Sequence, residues 1–546
     1  MLTRALPAIG LAAVAFTGGI LLATNSGGDE RQLVTRYVRA WERHDVPRMY
    51  SLLDVAFRRT TSEPEFAARL ERTAATATMV SIQPLRISNL SGGTITVRIL
   101  LTTRIWGPLR ETLSVPISGS GSDARVRFAS QLLFPGLRPG ERLSRTITLP
   151  PRGALLASDG EPLAEGPGRS STIPDVAGQI VGSVGPIPST DAAQYAAQGY
   201  PAGAIVGLDG LEHIFENRLV GTRGGRLLAG HRVLASASAV QAKPVRTTIS
   251  PVLERAAVAA MGGNYAGIAV MNPRTGALLG LAGIAFSALQ PPGSTMKIIT
   301  ASGALEAGIT TLATVYPVQT AATLSGVQLQ NANGEACGGT LLNAFAVSCN
   351  SVFAPLGAKL GAARLVNIAE RFGFNQPSSI PGAAESTIPG PGSIGDDLAV
   401  GSSAIGQGLV QTTPLEMADV AATIAMGGRR PIPTLLAHQR PRFIRVLSPH
   451  VAHEVQAMMV AVVQFGTGVA AQIPGVTVAG KTGTAELKNT TTPGQSTPQN
   501  TDAWFVGYAP VGHPHYVVGA LFPNQGAGGA AAAPPVRDVL AAALGG

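Results

Sequence analysis

The chain has 546 residues, of which 45% are hydrophobic and 13% are charged, with 66 glycines and 40 prolines. It has no heptad array or collagen-like period, and its length and composition predict a loop-rich α/β or α+β protein of three or four domains rather than a helical bundle. The net charge of +9 lies in residues 1–152, which carry 20 arginines, no lysine and 11 acids. Such a region can face an anionic membrane, but it lacks the aromatic interleaving and zinc-ligand spacing that favour nucleic acid.

An uncharged apolar run of 20 residues occupies positions 5–24. That length is just sufficient to cross a bilayer. Arg4 precedes the run, and the lysine/arginine bias predicts a cytoplasmic stub at 1–4, a single-pass anchor in the cell membrane and an extracytoplasmic bulk. A cleaved signal peptide is the alternative, and it would also place the bulk of the chain outside the cytoplasm.

Two regions separate this run from the C-terminal half. Residues 25–145 combine helical spacing around Tyr37 with strand-like runs that begin at Thr94 and Arg125, which predicts one small α+β domain. We find no convergent acids, cysteines or histidines there, so a spacer or binding module is expected. Residues 146–245 are rich in glycine, proline and serine and predict a linker or pedestal with short strands.

Residues 246–546 return to regular structure. The predicted elements are a hairpin with strands at Gly267 and Ala277, helices starting at Ser294, Thr412 and His450, strands at Ala503 and Tyr516, and a closing helix from Val536. Strands at both ends with helices between them predict a sheet whose strands come from distant parts of the chain.

A serine and a lysine lie three positions apart at the start of the first of these helices. On a helix, Ser294 and Lys297 share a face, so the lysine amine could meet the serine hydroxyl. A neutral lysine can act as the base that makes a serine nucleophilic. The chain has only five lysines against 36 arginines, which favours a lysine chosen because it can lose its proton. An S-x-x-K pair alone is nevertheless weak evidence.

Two further signatures strengthen the pair. Ser348-Cys-Asn350 begins 54 residues after Ser294, and Lys481-Thr-Gly-Thr484 begins 131 residues after Asn350, at the end of a strand-like run. Each tripeptide is common, but S-x-x-K, S-x-N and K-T-G in this order and context mark the active-site serine enzymes that react with penicillin.

On these motifs the chain resembles a class B penicillin-binding protein, a peptidoglycan D,D-transpeptidase. Residues 246–546 resemble its transpeptidase domain, including Gly406-Gln-Gly and Trp504-Phe-Val-Gly, and residues 146–245 resemble the pedestal or dimerisation-like domain before it. Residues 25–145 resemble the NTF2-like domain of low-affinity, resistance-type members. The resemblance implies an α/β multidomain protein whose transpeptidase domain is an antiparallel sheet flanked by helices.

The resemblance and the chemistry imply the same catalytic roles. Ser294 would attack the carbonyl between the two terminal D-alanines of a stem peptide, and Lys297 would take its proton. Lys481 would be the second cation that lowers the pKa of Lys297. Ser348 would relay a proton to the leaving amine, and Asn350 would bind the lysine or the substrate backbone.

The K-T-G-T strand is expected to bind substrate. Thr482 and Thr484 would hold the terminal carboxylate, and Gly483 would let the substrate approach the strand closely. The backbone N–H groups of Ser294 and Thr484 would form the oxyanion hole. A neighbouring stem amine would then resolve the acyl-enzyme, and β-lactams would acylate Ser294. No metal or other cofactor is required.

The two cysteines, Cys337 and Cys349, lie 12 positions apart. Outside the membrane such a pair often forms a disulfide, which here would brace the loop that carries Ser348 and Asn350. Two buried free thiols are the alternative.

Other functions are compatible with single features of the sequence. The stretch 475–482 matches a P-loop pattern, but its strand-like residues do not open a helix, which argues against nucleotide binding. A D,D-carboxypeptidase or β-lactamase would use the same serine chemistry, and a non-catalytic β-lactam sensor or scaffold would keep the fold without turnover. The expected partners are stem peptides, β-lactams, the membrane and cell-wall synthesis or divisome proteins, with no nucleic acid.

Overall fold

A computed structural model describes residues 28–487 and 497–545. The apolar run at 5–24, predicted to be a membrane anchor, lies outside the described residues. Among the described helices, none is by itself long and apolar enough to cross a membrane. One pair, Asn350–Leu360 and Ala362–Phe372, reaches the required length only when joined across a 101° bend.

The first segment of the chain, residues 28–148, contains helices followed by strands. The helices are α1 (Gly28–Glu42), α2 (Val46–Ser51), α3 (Val55–Thr60) and α4 (Glu63–Thr76), and the strands are β1 (Met79–Ile87), β2 (Thr94–Thr103), β3 (Gly107–Ser118), β4 (Arg125–Val126) and β5 (Leu143–Thr148), with 3₁₀ turns at Gly121–Asp123 and Ser130–Leu132. The strand-like run expected from Arg125 is therefore only two residues long.

The next segment, residues 149–246, consists of short elements. They are β6 (Leu155–Leu156), β7 (Pro162–Ala164), α5 (Pro174–Ile180), β8 (Val184–Pro186), α6 (Ala192–Gln198), β9 (Ile205–Gly207), α7 (Gly210–Ile214), α8 (Glu216–Leu219), β10 (Gly224–Ala229), β11 (Arg232–Ala237) and β12 (Val245–Arg246).

The last segment covers residues 247–487 and 497–545. Its helices are α9 (Pro251–Met261), α10 (Lys297–Glu306), α11 (Leu341–Ala346), α12 (Asn350–Leu360), α13 (Ala362–Phe372), α14 (Asp397–Ala404), α15 (Pro414–Ala425), α16 (Pro449–Gln464), α17 (Gly528–Ala531) and α18 (Ala533–Gly545). Its strands are β13 (Gly267–Asn272), β14 (Ala277–Gly283), β15 (Val315–Gln319), β16 (Ala321–Leu324), β17 (Val327–Gln330), β18 (Cys337–Thr340), β19 (Arg429–Pro431), β20 (Phe443–Arg445), β21 (Ala479–Glu486), β22 (Thr501–Ala509) and β23 (Tyr516–Phe522). Turns of 3₁₀ helix lie at Gly293–Met296, Ala332–Gly334, Val469–Ala471 and Pro498–Asn500.

These elements form two compact units. Within the described residues, the smaller unit contains 28–148, 189–202 and 223–239, and the larger contains 149–188, 203–222 and everything from 240 onwards. Residues 146–245, the expected pedestal, contribute to both units, since α6, β10 and β11 belong to the smaller one. The sequence could not show this, since β10 joins the smaller unit by pairing with β5 across 75 intervening residues.

The smaller unit is built on the antiparallel sheet β1–β2–β3–β4. Strand β2 alternates between buried and exposed positions, so that Val97 faces the core and Arg98 faces solvent. Tyr37 of α1 is fully buried in the same hydrophobic core. Leu227 of β10 completes this core.

The larger unit is built on a five-stranded antiparallel sheet with the order β14–β13–β23–β22–β21. The sequence predicted that its strands come from distant parts of the chain, and this is confirmed. Strand β22 is buried along its whole length because helices cover both faces of the sheet. Trp504 belongs to the core on one face, and Phe505 belongs to the core that includes Val536 of α18 on the other. Strand β21 lies at the edge.

A buried carboxyl group provides a test of this packing. Glu254 of α9 is fully buried, and its Oε2 accepts a hydrogen bond from Leu281 N at 2.7 Å, whereas Oε1 has no partner among the described residues. Burial raises the pKa of Glu254 to about 7. Between about pH 4.5 and 7 the Glu254 carboxyl group is therefore protonated in the folded chain and ionised in the unfolded chain. The free energy of unfolding consequently falls as the pH rises through that window.

Glu254→Gln should remove this dependence. We expect the free energy of unfolding of the variant, relative to the parent, to rise by about 3 kcal/mol between about pH 4.5 and pH 8. Denaturant unfolding at each pH measures the difference. Glu385→Gln, at an exposed carboxyl group, is the matched control and should give a constant difference. A constant difference for Glu254→Gln as well would show that Glu254 ionises normally.

Candidate active site

A 3₁₀ turn followed by α10 positions the predicted serine and lysine. The predicted helix starting at Ser294 is present, but its first turn, Gly293–Met296, is 3₁₀ rather than α-helical. Gly293 has φ +53°, and a Cβ there would lie 2.6 Å from the carbonyl oxygen of Thr484. Only glycine combines this conformation with so close an approach to strand β21. The turn is thereby held against the edge of the sheet.

Lys297 is fully buried and its amine is surrounded by polar partners. Its Nζ lies 3.0 Å from Ser294 Oγ, 2.7 Å from Asn350 Oδ1 and 2.7 Å from the carbonyl oxygen of Ser348. Burial, and then the charge of Lys481, hold the pKa of Lys297 well below its usual range. The geometry therefore supplies a lysine that can be neutral within hydrogen-bonding distance of a serine hydroxyl.

Lys481 reaches the same place from strand β21. It is also fully buried, and its Nζ donates to Ser348 Oγ at 2.8 Å and to the carbonyl oxygen of Thr482 at 3.0 Å. Burial lowers its pKa to about 7. Ser348 Oγ lies 3.3 Å from the amine of Lys297 as well, so one hydroxyl connects the two lysines. The five residues predicted to be catalytic are therefore brought together.

The loop that carries Ser348 is held by unusual local structure. Ser348 has φ +63°, in the left-handed region that non-glycine residues rarely adopt. The next residue, Cys349, is buried and disulfide-bonded to Cys337 of β18. Asn350 donates from Nδ2 to the carbonyl oxygen of Gln330 at 2.9 Å. These contacts fix both side chains of the S-x-N motif relative to the lysines.

Two phenylalanines beside this loop were missed by sequence reasoning. The Phe353 ring centroid lies 5.7 Å from Lys297 Nζ, and the Phe345 centroid lies 5.4 Å from Lys481 Nζ. The two rings meet edge to face with centroids 5.7 Å apart. The rings exclude water from the two amines, and this disfavours their charged forms. When either lysine is protonated, its ammonium group lies over the face of one ring. Phe345 lies three residues before Ser348 and Phe353 three residues after Asn350, and this closeness to the motif was the only sequence signal that could have identified them.

Thr467 was also missed. Its Oγ1 lies 2.5 Å from Thr482 Oγ1, and its backbone N–H donates to the carbonyl oxygen of Ala346 at 3.0 Å. Thr467 therefore connects the K-T-G-T strand to the helix before Ser348. The same strand has a second contact, in which the hydroxyl of Thr484 accepts a hydrogen bond from Gly528 N at 3.3 Å. No local sequence pattern identified this contact, because it joins segments far apart in the chain.

Gly483, expected to let a substrate approach the strand closely, packs against the turn that carries Ser294. A Cβ at Gly483 would lie 2.7 Å from the carbonyl oxygen of Pro292, 2.9 Å from Trp504 Cβ and 3.0 Å from Thr295 Cγ2. The space beside this glycine is therefore filled by the turn that carries Ser294. Glycine is required here so that the turn and the strand can meet, which also places the backbones of Ser294 and Thr484 next to each other.

Within the described residues, no group of three or more His, Cys, Asp or Glu side chains could hold a metal ion.

Comparison with known proteins assigns two regions. Residues 266–541 match the penicillin-binding protein transpeptidase domain, and residues 165–233 match the penicillin-binding protein dimerisation domain. The chain is similar to the peptidoglycan D,D-transpeptidase PbpA of Mycobacterium tuberculosis, with 38% identity over 291 residues, and to PbpA of Mycolicibacterium smegmatis, with 38% over 284. Each match covers 48% of this chain and 56% of the relative, so the chain spans about half the length of the curated relatives it matches.

Solved structures give a wider match. The crystal structure of PBPA from M. tuberculosis covers 72% of this chain and 99% of its own length, with 28% identity and a TM-score of 0.57. The same protein as a penicillin G acyl-enzyme complex matches with 27% identity, the same coverage and a TM-score of 0.58. A D,D-transpeptidase domain from Eggerthella lenta covers 72% of this chain and 98% of its own length, with 28% identity and a TM-score of 0.58.

The packing at Gly483 predicts the effect of adding a methyl group. We expect Gly483→Ala to lower the free energy of unfolding by about 1–3 kcal/mol, because the new Cβ would push the turn away from the strand. Gly178→Ala is the control: this glycine is exposed within α5, and a Cβ added there would have no neighbour within 4 Å. It should be neutral or stabilising by about 0.5–1 kcal/mol. Equal stability of the two variants in denaturant unfolding would contradict the proposed contact.

Proposed function

The chain belongs to the penicillin-binding protein transpeptidase family, and from this membership we propose that it is a D,D-transpeptidase that cross-links peptidoglycan stem peptides through an acyl-enzyme on Ser294. The observation that carries the proposal is the 3.0 Å contact between Ser294 Oγ and the buried amine of Lys297, whose pKa is lowered. A serine needs such a base to become a nucleophile at neutral pH.

Acylation would begin with a neutral Lys297. Its Nζ accepts the Ser294 proton as Oγ bonds to the carbonyl carbon of the penultimate D-alanine. The resulting oxyanion is stabilised by the backbone N–H groups of Ser294 and Thr484, each worth about 3 kcal/mol. The C–N bond then breaks as the leaving D-alanine amine takes a proton from the Ser348 hydroxyl. Ser348 is reprotonated by Lys297, whose Nζ lies 3.3 Å from Ser348 Oγ, so Lys297 is neutral again before deacylation.

Deacylation would reverse the proton path. The amine of a second stem peptide attacks the acyl carbon, its proton passes to Lys297, and Ser294 leaves with a proton returned from that lysine. Thr482 and Thr484 lie on the edge strand beside the nucleophile, and we assign them the terminal carboxylate of the donor peptide. Lys481 contributes the positive charge behind them.

The same serine would react with β-lactams, whose strained amide takes the place of the D-alanyl-D-alanine bond. Related M. tuberculosis structures described as imipenem and penicillin G acyl-enzyme complexes support this assignment. Water in place of the acceptor amine would make the chain a D,D-carboxypeptidase or a β-lactamase. A non-catalytic sensor is disfavoured because the contacts of Ser294 and Lys297 suit turnover.

We also propose that residues 5–24 anchor the chain in the cell membrane and that residues 25–145 form an NTF2-like domain. The uncharged apolar run supports the first proposal, and the order of four helices followed by a sheet supports the second. From the sequence we also propose three domains: an NTF2-like domain at 25–145, a pedestal at 146–245 and a transpeptidase domain at 246–546.

Labelling with a fluorescent penicillin tests the nucleophile. We expect the parent chain to form a stable covalent adduct and Ser294→Ala to form none, with an unchanged melting temperature. A stem pentapeptide offered with an amine acceptor should give cross-linked product in excess of hydrolysed tetrapeptide. Rapid release of a hydrolysed β-lactam would instead favour a β-lactamase, and labelling without peptide turnover would favour the sensor.

The coupling of the two lysines predicts a change in pH dependence. Lys297 acts as a base only when neutral, and the charge of Lys481 helps to keep its pKa low. Lys481→Ala should raise the pKa of Lys297 and move the acidic limb of the acylation profile to higher pH, measured as the second-order rate with a penicillin between about pH 5 and 9. Lys359→Ala, which removes an exposed lysine, should leave the limb in place. An unmoved limb in Lys481→Ala would refute the coupling.

A further inference from the structure

The open face of the sheet in the smaller unit carries an arginine on each of three adjacent strands. Arg86 of β1 is aligned with Arg98 of β2, and Arg98 is aligned with Thr112 of β3. Arg110, two positions before Thr112, is aligned with Leu100. Because aligned residues hold their Cβ atoms about 5 Å apart, one extended anionic surface could contact all three guanidinium groups. We call Arg86, Arg98 and Arg110 the arginine face.

The charge of the arginine face is not balanced by ion pairs within residues 28–487 and 497–545. All three side chains are exposed, and within the part of the chain that the structure describes none of them forms an ion pair. Glu111 follows Arg110, but strand alternation turns it to the other face, where it is aligned with the buried Ile99. Like charges aligned across a ladder destabilise a sheet. An external anion would relieve this repulsion.

Exposed leucines lie beside these charges. Leu85 is 50% exposed and lies at the irregularity in β1 immediately before Arg86. Leu90 is 38% exposed and lies in the turn that joins β1 to β2. Basic side chains together with exposed large apolar side chains are typical of surfaces that lie at a membrane interface. A soluble acidic polymer would use the charges but would have no need of the leucines.

The path of the chain brings this hairpin close to the expected anchor. Arg31, in the first turn of α1, donates from Nη2 to the carbonyl oxygen of Ile87 at 3.4 Å, at the end of β1. Helix α1 begins at Gly28, four residues after the apolar run at 5–24 ends. The start of α1 therefore lies beside the β1–β2 hairpin, with only a short connection to the run.

We propose that the arginine face, with Leu85 and Leu90, rests on the anionic lipid headgroups of the membrane in which residues 5–24 are anchored. This inference rests on the membrane anchor proposed above and adds a second, electrostatic contact. The arginines bind lipid phosphates, and the two leucines enter the boundary between headgroups and acyl chains. The smaller unit would then be held against the bilayer in one orientation instead of swinging on its connection.

A fluorescent reporter on the hairpin tests the contact. The full chain carrying Ser91→Cys, labelled with an environment-sensitive dye, is placed in nanodiscs of phosphatidylcholine alone or with phosphatidylglycerol. The two native cysteines are bonded to each other and stay unlabelled under non-reducing conditions. We expect a blue shift of the dye emission only in the discs that contain phosphatidylglycerol, and we expect high salt to abolish it.

A matched pair of triple variants decides the role of the arginine face. Arg86→Gln/Arg98→Gln/Arg110→Gln should lose the shift, whereas Arg43→Gln/Arg59→Gln/Arg72→Gln, with the same change in charge at exposed positions elsewhere in the smaller unit, should keep it. Melting temperatures establish that both variants fold, and Arg98→Gln alone should halve the shift or more. Equal shifts in both lipids, or equal losses in both triple variants, would overturn the proposal.

Failure of the anchor is distinguishable from failure of the arginine face. If the chain does not stay with the discs, the anchor proposal is wrong, and flotation of the same chains with phosphatidylglycerol vesicles replaces the assay. The contact would be supported if the arginine-face variant bound the vesicles roughly a hundredfold more weakly than the parent chain while the control variant bound as the parent does. Absence of binding, or binding equally weak in both variants, would refute it.

Discussion

The structure of the active site depends on the burial of two lysine amines around one serine hydroxyl. Ser348 Oγ lies 2.8 Å from Lys481 Nζ and 3.3 Å from Lys297 Nζ. Two charges so close in an apolar setting repel each other, and burial penalises each of them. Burial lowers the pKa of Lys481 to about 7, and the pKa of Lys297 also falls well below its usual range. The pair therefore favours a state in which at least one of the two amines is neutral. A lysine that can be neutral is what the proposed role of Ser294 as a nucleophile requires.

Glycines hold this arrangement together at the points where segments cross, because they let motifs that are far apart in the sequence come into close contact. Gly293 faces the backbone of Thr484, Gly483 faces Pro292, and a Cβ at Gly406 would lie 2.0 Å from the carbonyl oxygen of Gly293. The turn that carries Ser294 is thus wedged between the edge strand and the loop at Gly406. Backbone contacts therefore fix the position of this turn relative to strand β21.

The sequence predicted the parts of the site whose residue types are restricted by chemistry. Ser294, Lys297, Ser348, Asn350 and Lys481 could be identified because few side chain types can serve as nucleophile, base and relay at that spacing. Apolar runs such as the one at Trp504 predicted a sheet with strands from distant parts of the chain, and the family resemblance implied that it is antiparallel. Thr467 and the packing around Gly483 could not be predicted, because they depend on contacts between distant segments. The division of residues 146–245 was hidden for the same reason, since the pairing of β10 with β5 leaves no local pattern.

The lowered pKa values have a consequence beyond activation of the nucleophile. An α-amino group released when a peptide bond breaks has a pKa of about 8. A donor whose pKa is about 7, as for Lys481, can protonate such an amine in a downhill step, whereas an ordinary lysine near 10.4 would hold its proton. In the reaction that we propose, burial therefore serves both halves: it leaves Lys297 unprotonated and able to accept the Ser294 proton, and it makes a protonated amine beside Ser348 acidic enough to supply the leaving group.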